Sequence, residues 1–129
     1  MLTVQDFPSK GRGVVATEAI AKDTLIERAP AASFPAEQRT IIDSTSIAKY
    51  YFVLPSEYEE NKHVNGYFVF GLLSLCNHGD TPNAYIDWVK DDVSVWAHLI
   101  ALQEIPAGTE ILLLYTNADE YSFNNGTIS

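Results

Sequence analysis

The sequence of 129 residues predicts a mainly β domain. Apolar and polar side chains alternate over residues 93–102, which is the period of a strand with one buried face. Residues 84–89 are expected to form another strand before it, and the turn-forming residues 90–92 separate the two. A proline and a glycine two positions apart mark another turn in residues 104–110. This turn leads into residues 111–115, which we expect to form a last buried strand.

The first half of the chain mixes strands with one helical insert. Two strands are expected at residues 14–16 and 24–28. Residues 36–52 follow a helical period instead, and Pro55 closes that segment before a polar loop. Residues 67–76 are a compact apolar run that suits a strand and a short helix equally, since such runs carry no clear period.

Length and composition fit one globular domain. The chain is 47% hydrophobic and 12% aromatic, which excludes disorder as its general state. Its longest apolar stretch is about half of what a membrane-spanning helix needs, so no membrane contact is expected. The one cysteine, Cys76, excludes an intrachain disulfide and a multi-cysteine zinc site. No signal peptide is visible, and a cytoplasmic protein is expected.

The net charge of −9 comes from 17 acidic and 8 basic residues. This charge repels phosphate backbones, so direct binding of nucleic acid is not expected. It attracts basic protein segments, although acidity also serves solubility alone.

Two glycines, Gly11 and Gly13, flank Arg12 just before the first predicted strand. Glycine lets a backbone approach a ligand closely, so the pair suits a cofactor loop as well as an ordinary turn. The third glycine of a dinucleotide fingerprint and the lysine of a P-loop are both missing. The three residues alone leave both interpretations open.

The segment SLCNHGDTPNAYIDW, residues 74–88, is the densest cluster of hydrogen-bonding groups beside apolar segments. Cys76 near His78 suggests a nucleophile and a base, but residues so close along the chain rarely reach that geometry, and a lone buried cysteine is usually inert. Ser74, His78 and Asp80 fail as a triad, because their spacing offers no oxyanion hole.

The histidines and Tyr115 are the remaining candidates. A metal site from His63, His78 and His98 would need three scattered residues to converge, so no metal is expected. We interpret His63 as a loop residue and His98 as a strand residue with its hydrogen bonds satisfied. Tyr115 ends the aliphatic strand ILLLY, where a phenol is either a core residue bonded to backbone or a hydroxyl held beside a reaction centre.

Three segments, in this order and at these distances, resemble the SET-domain family of protein lysine methyltransferases. KGRGVVATEAIAKDTLIERAP at 10–30 is similar to the family's GxG strand and the strand after it. NHGDTPNA at 77–84 is similar to NHSxxPN, and EIPAGTEILLLY at 104–115 to I-x-x-G-E-E-L-x-x-x-Y. The resemblance spans nearly the whole chain.

The resemblance implies a β-clip type SET fold. Small curled β-sheets, a helical and loop insert at 34–66 and a knot-like threading of the C-terminal segment under a loop are expected. A single SET domain would occupy residues 1–129, with its core at about 10–121 and a flexible tail at 122–129. The NHxxxPN motif would then lie beside the strand that ends in Tyr115.

The family's cofactor is S-adenosyl-L-methionine, and the matched motifs imply which residues bind it. Gly11, Arg12 and Gly13 would supply backbone contacts to its methionine part. Asn77 would lie near its amino-acid end. His78 would contact it near the adenine, largely through backbone.

The same resemblance implies the catalytic residue and the substrate channel. Tyr115 matches the tyrosine whose hydroxyl sits at the point of methyl transfer. The substrate lysine would enter from the side opposite the cofactor, through a channel formed by Tyr67, Tyr85, Ile86, Tyr121 and Phe123. The acidic surface suits a basic protein or peptide as substrate.

Three departures from the family pattern accompany this assignment. Gly79 replaces the usual serine after Asn-His, Leu114 stands where many members have aspartate, and no cysteine cluster follows Tyr115 to form a zinc-bound cap. A homodimer is one way to complete the channel. The leading hypothesis is a protein lysine methyltransferase, with a catalytically inactive SET-like binding module and an unrelated β-domain acting through protein contacts as alternatives.

Overall fold

The computed structural model describes residues 1–9, 11–58 and 63–115. Within these ranges the chain forms short strands, two α-helices and two 3-10 helices. The elements in chain order are β1 (Leu2–Phe7), β2 (Gly11–Ala16), β3 (Leu25–Phe34), α1 (Ala36–Asp43), a 3-10 helix (Ala48–Tyr50), β4 (Tyr51–Phe52), α2 (Pro55–Tyr58), β5 (Gly66–Val69), a 3-10 helix (Leu72–Leu75), β6 (Asn77–His78), β7 (Ala84–Lys90), β8 (Val95–Ala101) and β9 (Leu112–Leu113).

The strands form three sheets. A five-stranded sheet has the order β4-β5-β3-β8-β7, and its strands pair antiparallel. An antiparallel hairpin of β1 and β2 and a parallel pair of β6 and β9 complete the architecture. The predicted mainly β class, with small sheets and few helices, is confirmed. The knot-like threading stays a prediction.

The hairpin of β7 and β8 agrees with the alternation read from the sequence. Ala97, Leu99 and Ala101 are fully buried, as expected for one face of a strand. The strand begins at residue 95 rather than 93, because the backbone N–H groups of Ser94 and Val93 both donate to Asp91 Oδ1 at 2.8 Å. These hydrogen bonds stabilise the turn and lower the pKa of Asp91.

Residues 67–76, which had no clear period, contain both predicted structures. Strand β5 ends at Val69, and a 3-10 helix follows at Leu72–Leu75. The Glu27 carboxylate accepts hydrogen bonds from the backbone N–H groups of Leu72 at 3.0 Å and Leu73 at 2.7 Å. A partner on distant β3 therefore starts this short helix, and no local signal could reveal it.

The helical insert is more broken than its period predicted. Helix α1 ends at Asp43, where the hydroxyls of Ser44 and Thr45 donate to the carbonyls of Ile41 and Ile42 at 2.6 Å each. Such side-chain bonds compete with the helical ladder. Strand β1 was not predicted, because it has no alternating buried face: four of its six residues are exposed and the other two are half-buried. It pairs antiparallel with β2.

The main core lies between the five-stranded sheet and the short elements that cross it. Its fully buried large side chains include Val14, Leu73, Leu99, Ile105 and Ile111. The last predicted strand is shorter than expected: only residues 112–113 are strand, and Leu114 is 61% exposed. Among the described residues, no helix has the length and apolar character to cross a membrane.

Candidate active site

The site is organised by the parallel pairing of β6 with β9. Asn77 lies opposite Leu112 and His78 opposite Leu113, and the Gly79 N–H donates to the Leu113 carbonyl at 2.8 Å. The Asn-His pair therefore forms a short strand. This pairing brings the 77–84 motif beside Tyr115, as the resemblance implied.

Asn83, the last polar residue of that motif, connects the same two segments through its side chain. Its Nδ2 donates to the Glu110 carbonyl at 2.8 Å, and its Oδ1 accepts from the Leu112 N–H at 2.9 Å. Asn83 is 8% exposed, so both hydrogen bonds are shielded from water. No role was predicted for this side chain, although its place in the quoted motif was a signal.

The two glycines of GRG are required for different reasons. Gly11 has φ +82°, a left-handed backbone that favours glycine. Gly13 is extended, but a Cβ there would collide with Asn77 Nδ2 and with the side chains of Glu110 and Phe7. Gly13 therefore leaves the space in which Asn77 meets the segment that precedes β9.

The predicted cofactor-binding residues come together at this point. Asn77 Nδ2 donates to the Arg12 carbonyl at 3.2 Å, so the backbone of GRG contacts the motif directly. The Arg12 guanidinium instead donates to the Tyr50 hydroxyl at 3.0 Å and lies 5.5 Å from that ring's centre. The arrangement agrees with the expectation that Arg12 acts through its backbone; its role toward a cofactor stays a prediction.

His78 holds the backbone of the terminal tyrosine. The Tyr115 N–H donates to His78 Nδ1 at 3.0 Å, and the two rings are 5.4 Å apart. With Nδ1 as an acceptor, a neutral imidazole carries its proton on Nε2, which lies 3.3 Å from Asp80 Oδ1. The side chain thus holds the Tyr115 backbone, a role that sequence reasoning missed because it weighed this ring only as a base or a metal ligand.

The Tyr115 hydroxyl donates to the Cys76 carbonyl at 2.5 Å. The phenol is thus bonded to backbone, as the first of the two interpretations predicted. It also lines a cavity, as the second would require. Cys76 itself is 1% exposed, and burial, together with the Glu27 and Glu110 carboxylates, raises the pKa of its thiol. The thiol stays protonated near neutral pH, which excludes Cys76 as a nucleophile.

Tyr115 lines an apolar cavity of about 430 Å³. Its walls come from the segment around β4, from β7 and from the end of the described chain. The lining residues are Phe52, Val53, Pro55, Pro82, Ala84, Tyr85, Ile86, Trp88, Leu102, Leu113, Leu114 and Tyr115. A cavity of this size and character is typical of a binding site.

The predicted channel residues are only partly at this cavity. Tyr85 and Ile86 line it. Tyr67 does not, but its ring lies 6.2 Å from that of Trp88, which does. Burial and the Glu57 carboxylate raise the pKa of Tyr67 to about 12, so this phenol stays neutral in the physiological range. Tyr121 and Phe123 lie outside the described residues, as does the predicted tail at 122–129.

Two aromatic residues of the cavity had not been predicted as channel residues. Phe52 lies 5.7 Å from Trp88 and 6.1 Å from Tyr115, with the rings edge to face in both pairs. Trp88 follows Ala84 and Ile86 at a spacing of two, which places all three on one face of β7. That alternation was the signal for Trp88; Phe52 is positioned by tertiary pairing alone.

The structure shows the surroundings of two departures from the family pattern, Gly79 and Leu114. A Cβ on Gly79 would lie 3.0–3.1 Å from the Leu112 side chain, so a serine here would fit only if Leu112 shifted by a few tenths of an ångström. Leu114 lines the cavity and is largely exposed, so it does not belong to the core.

The histidines do not converge on a metal. Among the described residues, no three His, Cys, Asp or Glu side chains gather as a metal site would require. His63 is exposed, as expected for a loop. The interpretation of His98 is wrong: its Nε2 is buried and has no hydrogen-bond partner in the described part of the chain. Strand pairing shields this nitrogen from water but brings it no hydrogen-bond partner among the described residues.

Comparison with known proteins identifies the arrangement. A family model of the SET domain matches residues 11–116, which is most of the chain. The chain belongs to the SET-domain family of protein lysine methyltransferases. The family predicted from the three motifs is thereby confirmed, and so is the predicted enzyme class, a protein-lysine N-methyltransferase.

Individual relatives of this SET domain agree with the match. It is 31% identical over 114 residues to the H3 lysine-37 specific histone-lysine N-methyltransferase of Schizosaccharomyces pombe, over 88% of this chain and 72% of that protein. A solved Plasmodium falciparum protein assigned as a histone methyltransferase is 26% identical with a TM-score of 0.67, over 89% of this chain and 96% of that one. The Neurospora SET domain protein DIM-5, a histone lysine methyltransferase, has a TM-score of 0.66 at 22% identity, over 88% of this chain and 51% of that one, and supports the fold.

Proposed function

We propose that this SET domain transfers a methyl group from S-adenosyl-L-methionine to lysine side chains of a basic protein. The observation that carries the proposal is the Tyr115 hydroxyl, bonded to the Cys76 carbonyl at the wall of an apolar cavity. A single fixed hydroxyl in apolar surroundings suits methyl transfer, which needs alignment more than it needs a strong base.

The residues around β6 fit the cofactor. Gly11 and Arg12 are exposed, so their backbone is accessible, and the Arg12 carbonyl lies beside Asn77, whose Nδ2 donates to it. Asn77 uses Nδ2 toward protein acceptors, and its Oδ1 is an acceptor suited to the ammonium of a methionine group. When bound, S-adenosylmethionine supplies an electrophilic methyl group on a positively charged sulfur.

The cavity favours the reactive form of lysine. A lysine side chain has an ordinary pKa of about 10.4 and must lose its proton before it can attack. Apolar and aromatic walls, among them Phe52, Ile86 and Trp88, disfavour the ammonium form because they cannot replace its hydration. A neutral amine inside this cavity is therefore easier to reach than in water.

Tyr115 orients the amine. Because its hydroxyl proton is donated to the Cys76 carbonyl, the phenol oxygen can act toward a further group only as an acceptor. An acceptor at this position can take an N–H of the neutral amine and leave the lone pair of nitrogen directed elsewhere. His78, through its bond to the Tyr115 N–H, holds the backbone that carries the phenol.

A basic substrate follows from charge. The chain carries a net charge of −9, which attracts cationic peptide segments and speeds their encounter. The histone specificity of the Schizosaccharomyces pombe relative is compatible with this substrate class. The cytoplasmic location, the homodimer and the lack of nucleic-acid or membrane contact stay predictions.

The test is transfer of a radiolabelled methyl group from S-adenosylmethionine to a mixture of basic proteins, with acidic proteins of similar size as the control. We expect label on lysine in the basic set, with a rate that falls as salt screens the attraction. Cofactor binding without any label transfer would favour the catalytically inactive binding module. Label that prefers the acidic set would contradict the substrate class.

A further inference from the structure

Glu110 has no role in the motif assignments, yet its carboxylate reaches the predicted cofactor site. Asn77 Nδ2 donates to Glu110 Oε2 at 2.8 Å, the shorter of its two hydrogen bonds. Both groups are shielded from water, Asn77 at 7% exposure and Glu110 at an intermediate level. The contact lies in the space left by the missing side chain of Gly13.

The backbone holds Glu110 firmly in this place. The Ile111 N–H donates to the Val14 carbonyl at 2.8 Å, and Glu110 forms a bridge with Val15. The Glu110 carbonyl accepts from Asn83 Nδ2 at 2.8 Å. The carboxylate is thus presented from a segment attached both to β2 and to the 77–84 motif, so its direction is determined by the fold.

The two acceptors determine which way the Asn77 amide faces. An amide nitrogen has two protons, and here one faces the Arg12 carbonyl and the other faces Glu110. Neither the carbonyl nor an ionised carboxylate can donate, so a rotated amide would place its oxygen against two oxygens. Among the described residues, none donates to Asn77 Oδ1. The group left for a ligand is therefore an acceptor.

We propose that Glu110 is a positioning residue, whose carboxylate fixes the Asn77 amide so that Oδ1 receives the α-ammonium group of the cofactor. This inference rests on the proposed function. A charged acceptor holds the amide about twice as strongly as a neutral one. The Glu110 carboxylate would also place a negative charge near the ammonium group, which itself would contact Asn77.

The test is the variant Glu110→Gln, measured with two ligands by calorimetry. The ligands are S-adenosyl-L-homocysteine and its analogue in which hydrogen replaces the α-amino group. Glutamine keeps the length but offers an NH₂ group, which lets the Asn77 amide rotate and present donors. We expect the variant to bind S-adenosylhomocysteine about tenfold more weakly and the analogue as well as the wild type does.

Glu104→Gln is the matched control, since it removes the same charge from an exposed glutamate of the same connection. Both ligands should bind this control as they bind the wild type. An equal loss for both ligands in Glu110→Gln, or no loss for either, would overturn the positioning role. If the wild type binds neither ligand, the proposed function falls, and this inference with it.

Discussion

Replacing Tyr115 by phenylalanine should reduce the rate constant of methyl transfer by about 100- to 1000-fold. The substitution removes one oxygen, which accepts the amine N–H in the proposed mechanism and donates to the Cys76 carbonyl in the structure. Cofactor affinity should change little, because the Asn77 contacts are untouched. Single-turnover transfer at saturating cofactor measures the effect, and calorimetry with S-adenosylhomocysteine separates it from binding.

Tyr58→Phe is the control for this variant. Tyr58 is a buried tyrosine in a cluster with Phe34, Tyr51, Val53 and Val64, and it does not line the cavity. The transfer rate of Tyr58→Phe should therefore stay within about twofold of wild type. A Tyr115→Phe protein that is folded and transfers methyl as fast as wild type would show that the hydroxyl has no catalytic part. The aromatic packing with Phe52 is kept in phenylalanine, so misfolding is not expected.

Asn83→Ala should destabilise the protein by about 3 kcal/mol. Its two side-chain hydrogen bonds connect the Glu110 carbonyl and the Leu112 N–H, and truncation leaves both backbone groups without these partners, at about 1–3 kcal/mol for each buried group. Loss of this connection should also loosen β6 from β9. The free energy of unfolding, obtained from urea titration, measures the effect.

An exposed amide provides the comparison for Asn83. Gln103 lies on the connection between β8 and β9, and Gln103→Ala should change the free energy of unfolding by less than about 0.5 kcal/mol. If Asn83→Ala were as stable as Gln103→Ala, the two segments would be held together by backbone pairing alone.

The parts of the fold that the sequence predicted well are those with a local cause. The alternation that ends at Ala101 and the turn at Asp91 depend on neighbours along the chain, and both are confirmed. The 3-10 helix at Leu72–Leu75 depends on Glu27, which is 45 residues from Leu72 along the chain. The apolar pattern of residues 67–76 gave no indication of this helix. Distant partners are what a linear pattern omits.

The candidate site divides in the same way. The motifs placed the GRG segment and Tyr115 near the Asn-His pair, and the structure has Arg12 and Gly13 beside Asn77 and Tyr115 beside His78. The contact of Asn77 with Glu110 could not be read from spacing, since it exists only after the segment before β9 pairs with β2. Buried polar contacts of this kind are specified by geometry rather than by pattern.

In the proposed function, the parallel pair of β6 and β9 and the GRG segment together form a cofactor site. Calorimetric titration of the wild-type chain with S-adenosyl-L-methionine tests it most directly. We expect saturable binding of one cofactor per chain. A folded protein that shows no binding at millimolar cofactor would contradict it.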